Sequence, residues 1–248
     1  MTARETDRIV GFDRKIELEW LDAAAGWVAE GLPSQEVRQR LSAALEGEVL
    51  GSKARRNTVS VLTHVWVTVP PHLETLRDDG LEIRRERPRR GRLPLHWGMC
   101  AATYPFFNSV VSAAGRLIAL HDQVALSQIT RRTAEVWGDR STVTRATQRI
   151  VRSLVLWGVL EELQGRGMFA LGTPIGIPSH DPVGPWLAEA SLSGKDRPAT
   201  TLRGLAQDPA LFPFRLELSA GALAHRRALS VHSEGVDGGM VVLDRSPG

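Results

Sequence analysis

Residues 126–171 read LSQITRRTAEVWGDRSTVTRATQRIVRSLVLWGVLEELQGRGMFAL, and this stretch decides the predicted fold. Residues 127–137 have a ragged amphipathic pattern, and Gly138 can end that helix because glycine accepts the left-handed conformation after a C-terminus. Asp139 or Ser141 can then cap a second helix. Apolar residues three and four apart form one face of that helix: Val143, Ala146, Ile150, Leu154 and Trp157. We therefore predict two helices joined by a tight turn.

Two short runs follow, at residues 160–163 and 168–171, and they flank Gly165-Arg166-Gly167. A glycine-bounded turn between two such runs predicts a β-hairpin. A helical pair followed by a hairpin resembles the winged-helix form of the helix-turn-helix. This resemblance implies that residues 141–158 form the recognition helix and that Arg166 lies at the tip of the wing.

The polar face of the second helix suggests DNA binding. Ser141, Arg145, Gln148 and Arg152 fall at i, i+4, i+7 and i+11, and this stripe contains no carboxylate. Arginine can bond guanine, glutamine can bond adenine, and serine or threonine can bond bases or phosphates. We expect Arg145, Gln148 and Arg149 to read base edges, with Thr142 and Thr144 beside them. The alternative is an ordinary solvated helix face.

Further arginines are candidates for phosphate contacts. Arg131 and Arg132 lie on the first helix, and Arg140 lies near the start of the second, where free N–H groups favour a phosphate. Six of the nine residues 84–92 are arginine, without apolar periodicity, which predicts an exposed loop or flexible basic arm. Its candidate contacts are Arg85, Arg87, Arg89 and Arg90. A solvated linker is the alternative.

Composition limits the class of protein. The 248 residues carry a net charge of +3 and an isoelectric point near 9.6, a bias that permits binding to a polyanion. The arginine excess could also reflect a GC-rich genome. The single cysteine, Cys100, lies in an apolar stretch and excludes a cysteine-rich zinc site. We expect a cytoplasmic protein, since the sequence shows neither a secretory signal nor a membrane-spanning run.

Catalytic motifs are absent from the sequence. It contains no Walker A loop, no Gly-x-Gly-x-x-Gly and no Gly-x-Ser-x-Gly elbow. The seven histidines are scattered, His180-Asp181 fits a surface loop better than a metal site, and Glu161-Glu162 fits the wet side of a strand. We therefore predict no enzyme activity, no metal and no cofactor.

The predicted fold is mainly α (α+β): a helical bundle with a winged helix-turn-helix unit and a small α+β C-terminal tail. We divide the chain into residues 1–92, a helical region with the basic loop; 93–175, a helical block with the winged-helix unit; and 176–248, a linker and a small α+β region. Residues 93–121 should form two buried helices that meet near Tyr104-Pro105. In the tail, a helix at 219–227 and strands at 229–232 and 240–243 resemble a second, smaller winged helix.

One family resemblance concerns LPLHWGMCAATYPFFNSVVSAAGRLIALHD (residues 93–122) and STVTRATQRIVRSLVLWGVLEE (residues 141–162). Together these segments resemble the A protein of BREX phage-defence systems, a group of small, mainly helical proteins. The resemblance covers about residues 50–165, and it implies a DNA-binding role in phage defence. The proline-rich segment after Gly172 and the tail after Leu211 lie outside it.

We expect a non-catalytic protein that binds double-stranded DNA, as a regulator of transcription or a component of a defence complex with protein partners. A protein-interaction scaffold is one alternative, and the apolar block at 93–120 could present a homodimer face. An RNA-binding helical protein is another. Salt dependence separates DNA binding from the protein-interaction scaffold, because affinity for DNA falls steeply with salt concentration and the affinity of an apolar interface does not.

Overall fold

A computed structural model describes residues 10–165, 167–195, 199–232 and 239–244. This part of the chain is mainly helical with small sheets, which confirms the predicted mainly α, α+β class. The α-helices are α1 (Leu18–Ala29), α2 (Ser34–Ala44), α3 (Ser52–Trp66), α4 (Glu74–Arg85), α5 (Leu93–Thr103), α6 (Pro105–His121), α7 (Leu126–Trp137), α8 (Ser141–Leu156), α9 (Val183–Ser193), α10 (Leu202–Ala206) and α11 (Ala220–Ala224).

The strands are short and form three sheets. They are β1 (Gln123–Ala125), β2 (Leu160–Glu162), β3 (Met168–Leu171), β4 (Ile175–Ile177), β5 (Ala199–Thr201), β6 (Phe214–Leu216), β7 (Leu229–His232) and β8 (Met240–Leu243). Two sheets are antiparallel, with strand orders β1-β3-β2 and β5-β8-β7, and β4 pairs with β6 in parallel.

α5 is the centre of the fold. Every residue from Leu93 to Thr103 is buried, and the helix packs against α1, α3, α4, α6 and α9. The helix has no polar face that could contact water, and a helix that is apolar on all sides is driven into the interior. α5 ends at Thr103 and α6 starts at Pro105, which confirms the predicted pair of helices. Most of this block is interior, and the homodimer face expected at residues 93–120 stays a prediction.

Trp186 of α9 packs against both α4 and α5. A Cβ at Gly80 would lie 2.8 Å from the Trp186 ring, and a Cβ at Gly98 would lie 2.5 Å from it. The two glycines therefore form the slot that this indole fills. Trp186 Nε1 also donates to the carbonyl of Leu76, at 2.8 Å. The prolines and glycines of residues 172–195 predict a linker with one short helix at 185–191, whereas this segment holds β4 and the longer, buried α9.

The elements α6, β1, α7, α8, β2 and β3 form a compact unit. α7 and α8 are joined at Gly138, which ends α7 as predicted and whose φ of 83° lies in the region that favours glycine. β1 and β2 both pair with β3, and the buried Val124 and Phe169 face each other across the sheet. The predicted hairpin is thus present, with a third strand added from residues just before α7. The N-cap residue of α8 is Arg140 rather than Asp139 or Ser141, and no side chain caps it.

The C-terminal elements repeat this connectivity. α9, β5, α10, α11, β7 and β8 also follow the order helix, strand, helix, helix, strand, strand, and the strand order β5-β8-β7 matches β1-β3-β2. The repeat is smaller, since α10 and α11 have five residues each, and β6 is inserted between them. The two predicted strands β7 and β8 are confirmed, and Ser219 caps α11 by accepting from the Ala222 N–H at 3.2 Å.

Candidate nucleic-acid interface

α8 has one exposed polar face and one buried apolar face. The exposed face carries the predicted stripe together with Thr142: Ser141, Thr142, Arg145, Gln148 and Arg152. The residues on the other side are at most 1% exposed: Val143, Ala146, Ile150 and Leu154. The spacing of these apolar residues fixes the rotation of the helix, so the polar stripe points to solvent. The orientation expected from the sequence is confirmed, although exposure alone assigns no ligand.

The arginines near this stripe differ in how exposed their side chains are. Arg131 and Arg132 are exposed on α7. Arg140 is half-buried, and its Nη2 donates to the carbonyl of Trp137 at 3.2 Å. A cation is favoured at that place because the last carbonyls of α7 carry partial negative charge. Arg140 therefore joins the end of α7 to the start of α8, and Thr144 is half-buried in the next turn.

A groove of about 950 Å³ lies open between α7, α8 and β3. Its polar lining includes Thr130, Arg131, Gln148 and Arg152, and the carboxylates of Glu135 and Asp139 also line it. The groove is thus a concave surface beside the stripe, and its lining carries both positive and negative side chains.

Carboxylates contact two of the candidate arginines, and one of the two, Arg152, belongs to the α8 stripe that has no carboxylate of its own. Arg152 Nη1 lies 2.7 Å from Glu162 Oε2, and Arg132 Nη1 lies 3.1 Å from Glu135 Oε2. All four side chains are at least one third exposed. Exposed ion pairs contribute only about 0–1 kcal/mol, so a phosphate could replace either carboxylate at small cost.

Arg149 has a structural contact instead of the predicted base contact. Its side chain is half-buried, and Nη1 donates to the main-chain carbonyl of Asp13. That carbonyl belongs to the segment before α1, which lies against α8. Reading bases would break this bond, so we withdraw Arg149 from the candidate readers and retain Arg145 and Gln148.

Residues 84–92 are held in place by a carboxylate, so the prediction of a flexible basic arm is wrong, although part of the segment is exposed as predicted. Arg84 and Arg85 are the last residues of α4, residues 89–91 form one 3-10 turn, and the segment contacts Asp22 of α1. Asp22 lies 2.9 Å from Arg84 Nε, 2.9 Å from Arg92 Nη1 and 3.2 Å from Arg89 Nε. One buried carboxylate therefore binds three guanidinium groups.

The electrostatics of this cluster favour an ionised Asp22. Burial acts to raise the pKa of the carboxyl, but hydrogen bonds to His96 and Arg84 and the charge of Arg84 outweigh it and hold the pKa far below its usual range. Complete burial lowers the pKa of His96, so the ring is neutral at pH 7. Trp66 Nε1 donates to His96 Nδ1 at 3.2 Å, which assigns the ring proton to Nε2, 3.6 Å from Asp22 Oδ1.

The other arginines of this segment divide into one bound and two exposed side chains. Arg87 is half-buried and pairs with Asp181 and with the Gly91 carbonyl, so its predicted phosphate contact is replaced by contacts within the chain. Arg85 and Arg90 are exposed, and Arg89 is 73% exposed although it contacts Asp22. These three keep their predicted role as a prediction. Arg166 lies outside the described residues.

Asp22 is the charged residue that sequence reasoning missed. It shares one helix face with Leu18 and Ala25, and a carboxylate among apolar side chains needs a cationic partner when buried. That position, read together with the arginine-rich residues 84–92, was the available signal.

Within the described ranges, no group of three or more His, Cys, Asp or Glu side chains could hold a metal ion. In the same part of the chain, no helix combines the length and the apolar character needed to cross a membrane. Comparison with protein-family models, curated proteins and solved structures found no match to this chain. The resemblance to the BREX A protein therefore stays a prediction.

Proposed function

We propose that the chain binds double-stranded DNA through a winged helix-turn-helix formed by α6, β1, α7, α8, β2 and β3. The order of these elements and the strand order β1-β3-β2 support this proposal, since a winged helix combines a helix-turn-helix with a small antiparallel sheet. α8 is the recognition helix and enters the major groove. The turn between β2 and β3 is the wing.

The observation that carries the proposal is the exposed stripe on α8. Arg145 forms no ion pair within the described ranges, and the first turn of α8 has no acidic residue. Arg145 and Gln148 are therefore available to bond the edges of guanine and adenine. Ser141 and Thr142 bind the phosphates beside the helix start, and Arg131, Arg132 and Arg152 add backbone contacts. In this arrangement α8 reads the DNA sequence, and the neighbouring residues add affinity for any duplex.

Replacing Arg145 or Gln148 by alanine should weaken binding to a preferred duplex by about 1–3 kcal/mol for a residue that contacts a base. Fluorescence polarisation with a labelled duplex selected from a random pool measures this change. The loss should be larger for the preferred duplex than for an unrelated one, because only base contacts depend on sequence.

Arg40→Ala is the matched control, since Arg40 is an exposed arginine on α2 that pairs with Glu36. It should leave DNA affinity unchanged. Competition with a structured RNA tests the RNA-binding alternative. Unchanged affinity in both the Arg145 and Gln148 variants, or stronger competition by RNA than by duplex DNA, contradicts the proposal.

A protein-interaction scaffold is the second candidate. Leu120, Val136 and Leu156 are between 50% and 74% exposed on α6, α7 and α8. Exposed large apolar side chains on one unit favour a protein partner. Such an interface would persist as salt rises, whereas duplex binding would weaken steeply. A role as a transcription regulator or as a component of a phage-defence complex remains part of the proposal.

A further inference from the structure

The segment before α1 connects α8 with α3. On the α8 side, Asp13 accepts from Arg149 Nη1 through its main-chain carbonyl. The Ile16 N–H donates to Ser153 Oγ at 2.8 Å, and the Ile16 carbonyl accepts from Trp157 Nε1 at 2.9 Å. These contacts hold the segment along the side of α8 that adjoins the exposed stripe.

Arg14 continues this connection to α3. Its Nη1 donates to the same Asp13 carbonyl at 2.8 Å, so the guanidinium groups of Arg14 and Arg149 share one oxygen. With the Asn57 amide oriented to satisfy both neighbours, its oxygen accepts from Arg14 Nη2 and its nitrogen donates to the Lys53 carbonyl at 3.2 Å. A continuous series of hydrogen bonds therefore runs from α8 to the first turn of α3.

That first turn is cationic and open to solvent. Lys53 and Arg56 are exposed, and neither has an ion pair within the described ranges. Lys53, Arg56 and Asn57 lie at i, i+3 and i+4, so they share the face of α3 that contacts Arg14. The first turn of α3 contains no acidic residue, and Arg55 is 3.7 Å from Glu46, a carboxylate that is 73% exposed. Positive charge is thus concentrated at the end of α3 that these hydrogen bonds connect to α8.

We propose that Lys53 and Arg56, on the turn of α3 that Arg14 and Asn57 connect to α8, form a second contact with the DNA phosphate backbone. This inference rests on the proposed function and adds a backbone site from a helix outside the α6–β3 unit. None of the sequence-predicted contacts lies on α3. The side chains supply affinity and position the duplex over α8, and they read no bases.

The test is the salt dependence of duplex binding by the double variant Lys53→Gln/Arg56→Gln. Each neutralised phosphate contributes about 0.9 to the slope of log affinity against log salt, so losing two contacts should reduce that slope by about 1.8. Affinity at 0.1 M salt should fall roughly tenfold or more for any duplex. The ratio of affinities for preferred and unrelated duplexes should not change.

Arg38→Gln/Arg40→Gln on α2 is the matched double variant, because it also removes two exposed cations from one helix. Its slope should equal that of the wild type, and thermal melts of both variants confirm folding. If Arg145→Ala lowers affinity while the α3 double variant keeps the wild-type slope, the inference is overturned and the proposed function stands. If the wild type shows no salt-dependent duplex binding, both are overturned.

Discussion

Asp22→Asn is expected to lower the free energy of unfolding by about 3–5 kcal/mol, since it leaves buried charges without their partner. Arg84 and Arg92 have side chains only 13% and 17% exposed, and both contact this carboxylate. An amide of the same shape keeps the packing and removes the negative charge. The guanidinium groups would then repel each other in a site where water screens them poorly.

Urea unfolding of D22N and wild type at pH 7 measures this loss. Asp78→Asn is the control, because Asp78 is an exposed carboxylate that pairs only with the adjacent Arg77 within the described ranges, and it should cost less than about 1 kcal/mol. Equal stabilities of the two variants would contradict the role given to Asp22.

The stability difference between wild type and D22N should depend on pH in a defined direction. The pKa of Asp22 is lowered in the folded protein, so its contribution is complete above the ordinary aspartate pKa of about 3.9 and declines as the pH falls below it. The stability gap between wild type and D22N should therefore narrow between about pH 4 and pH 2. A gap that widens on acidification would show that another group controls the difference.

Trp97→Ala is expected to cost about 3–5 kcal/mol, as large aromatic residues in a core do when truncated. Trp97 is completely buried, and its ring centroid lies 5.5 Å from Phe107, 6.3 Å from Trp157 and 5.5 Å from Phe214. Its Nε1 donates to the Ala210 carbonyl at 2.9 Å. One side chain on α5 thus connects α6, α8 and the residues around β6.

Thermal and urea unfolding test this second loss, with Trp27→Ala as the matched control. Trp27 is half-buried near the end of α1, and the Arg40 guanidinium lies 5.9 Å from its ring. Truncating it should cost less than half as much, because less apolar area leaves water when Trp27 packs. A Trp97→Ala variant as stable as Trp27→Ala would show that α5 is not the centre of the core.

Local patterns predicted most helices and the short strands. The spacing in α8, the glycine at 138 and the proline at 105 each act within a few residues, so the sequence carries their effect directly. α9 was predicted too short, at residues 185–191, because its neighbourhood is rich in proline and glycine. Pro182 and Pro185 lie at its start, where missing N–H groups cost little, so they do not interrupt it.

The candidate site was predicted in outline, and its arginines were predicted less well. The exposure of Arg145 and Gln148 follows from helix periodicity alone. The partners of Arg149, Arg84 and Arg87 lie 136, 62 and 94 residues away in the chain, and no local pattern reveals contacts at such separations. A basic run can therefore be predicted from sequence, but whether its charges are free depends on the tertiary fold.

The slot that Trp186 fills has a consequence for synthesis on the ribosome. Trp186 is made 110 residues after Leu76, the residue whose carbonyl it binds. Until Trp186 has been synthesised, the surfaces of α4 and α5 around Gly80 and Gly98 stay exposed. Exposed apolar surface promotes aggregation. We expect nascent chains that stop before residue 183 to precipitate or to recruit chaperones, while the full-length chain closes over its own interior.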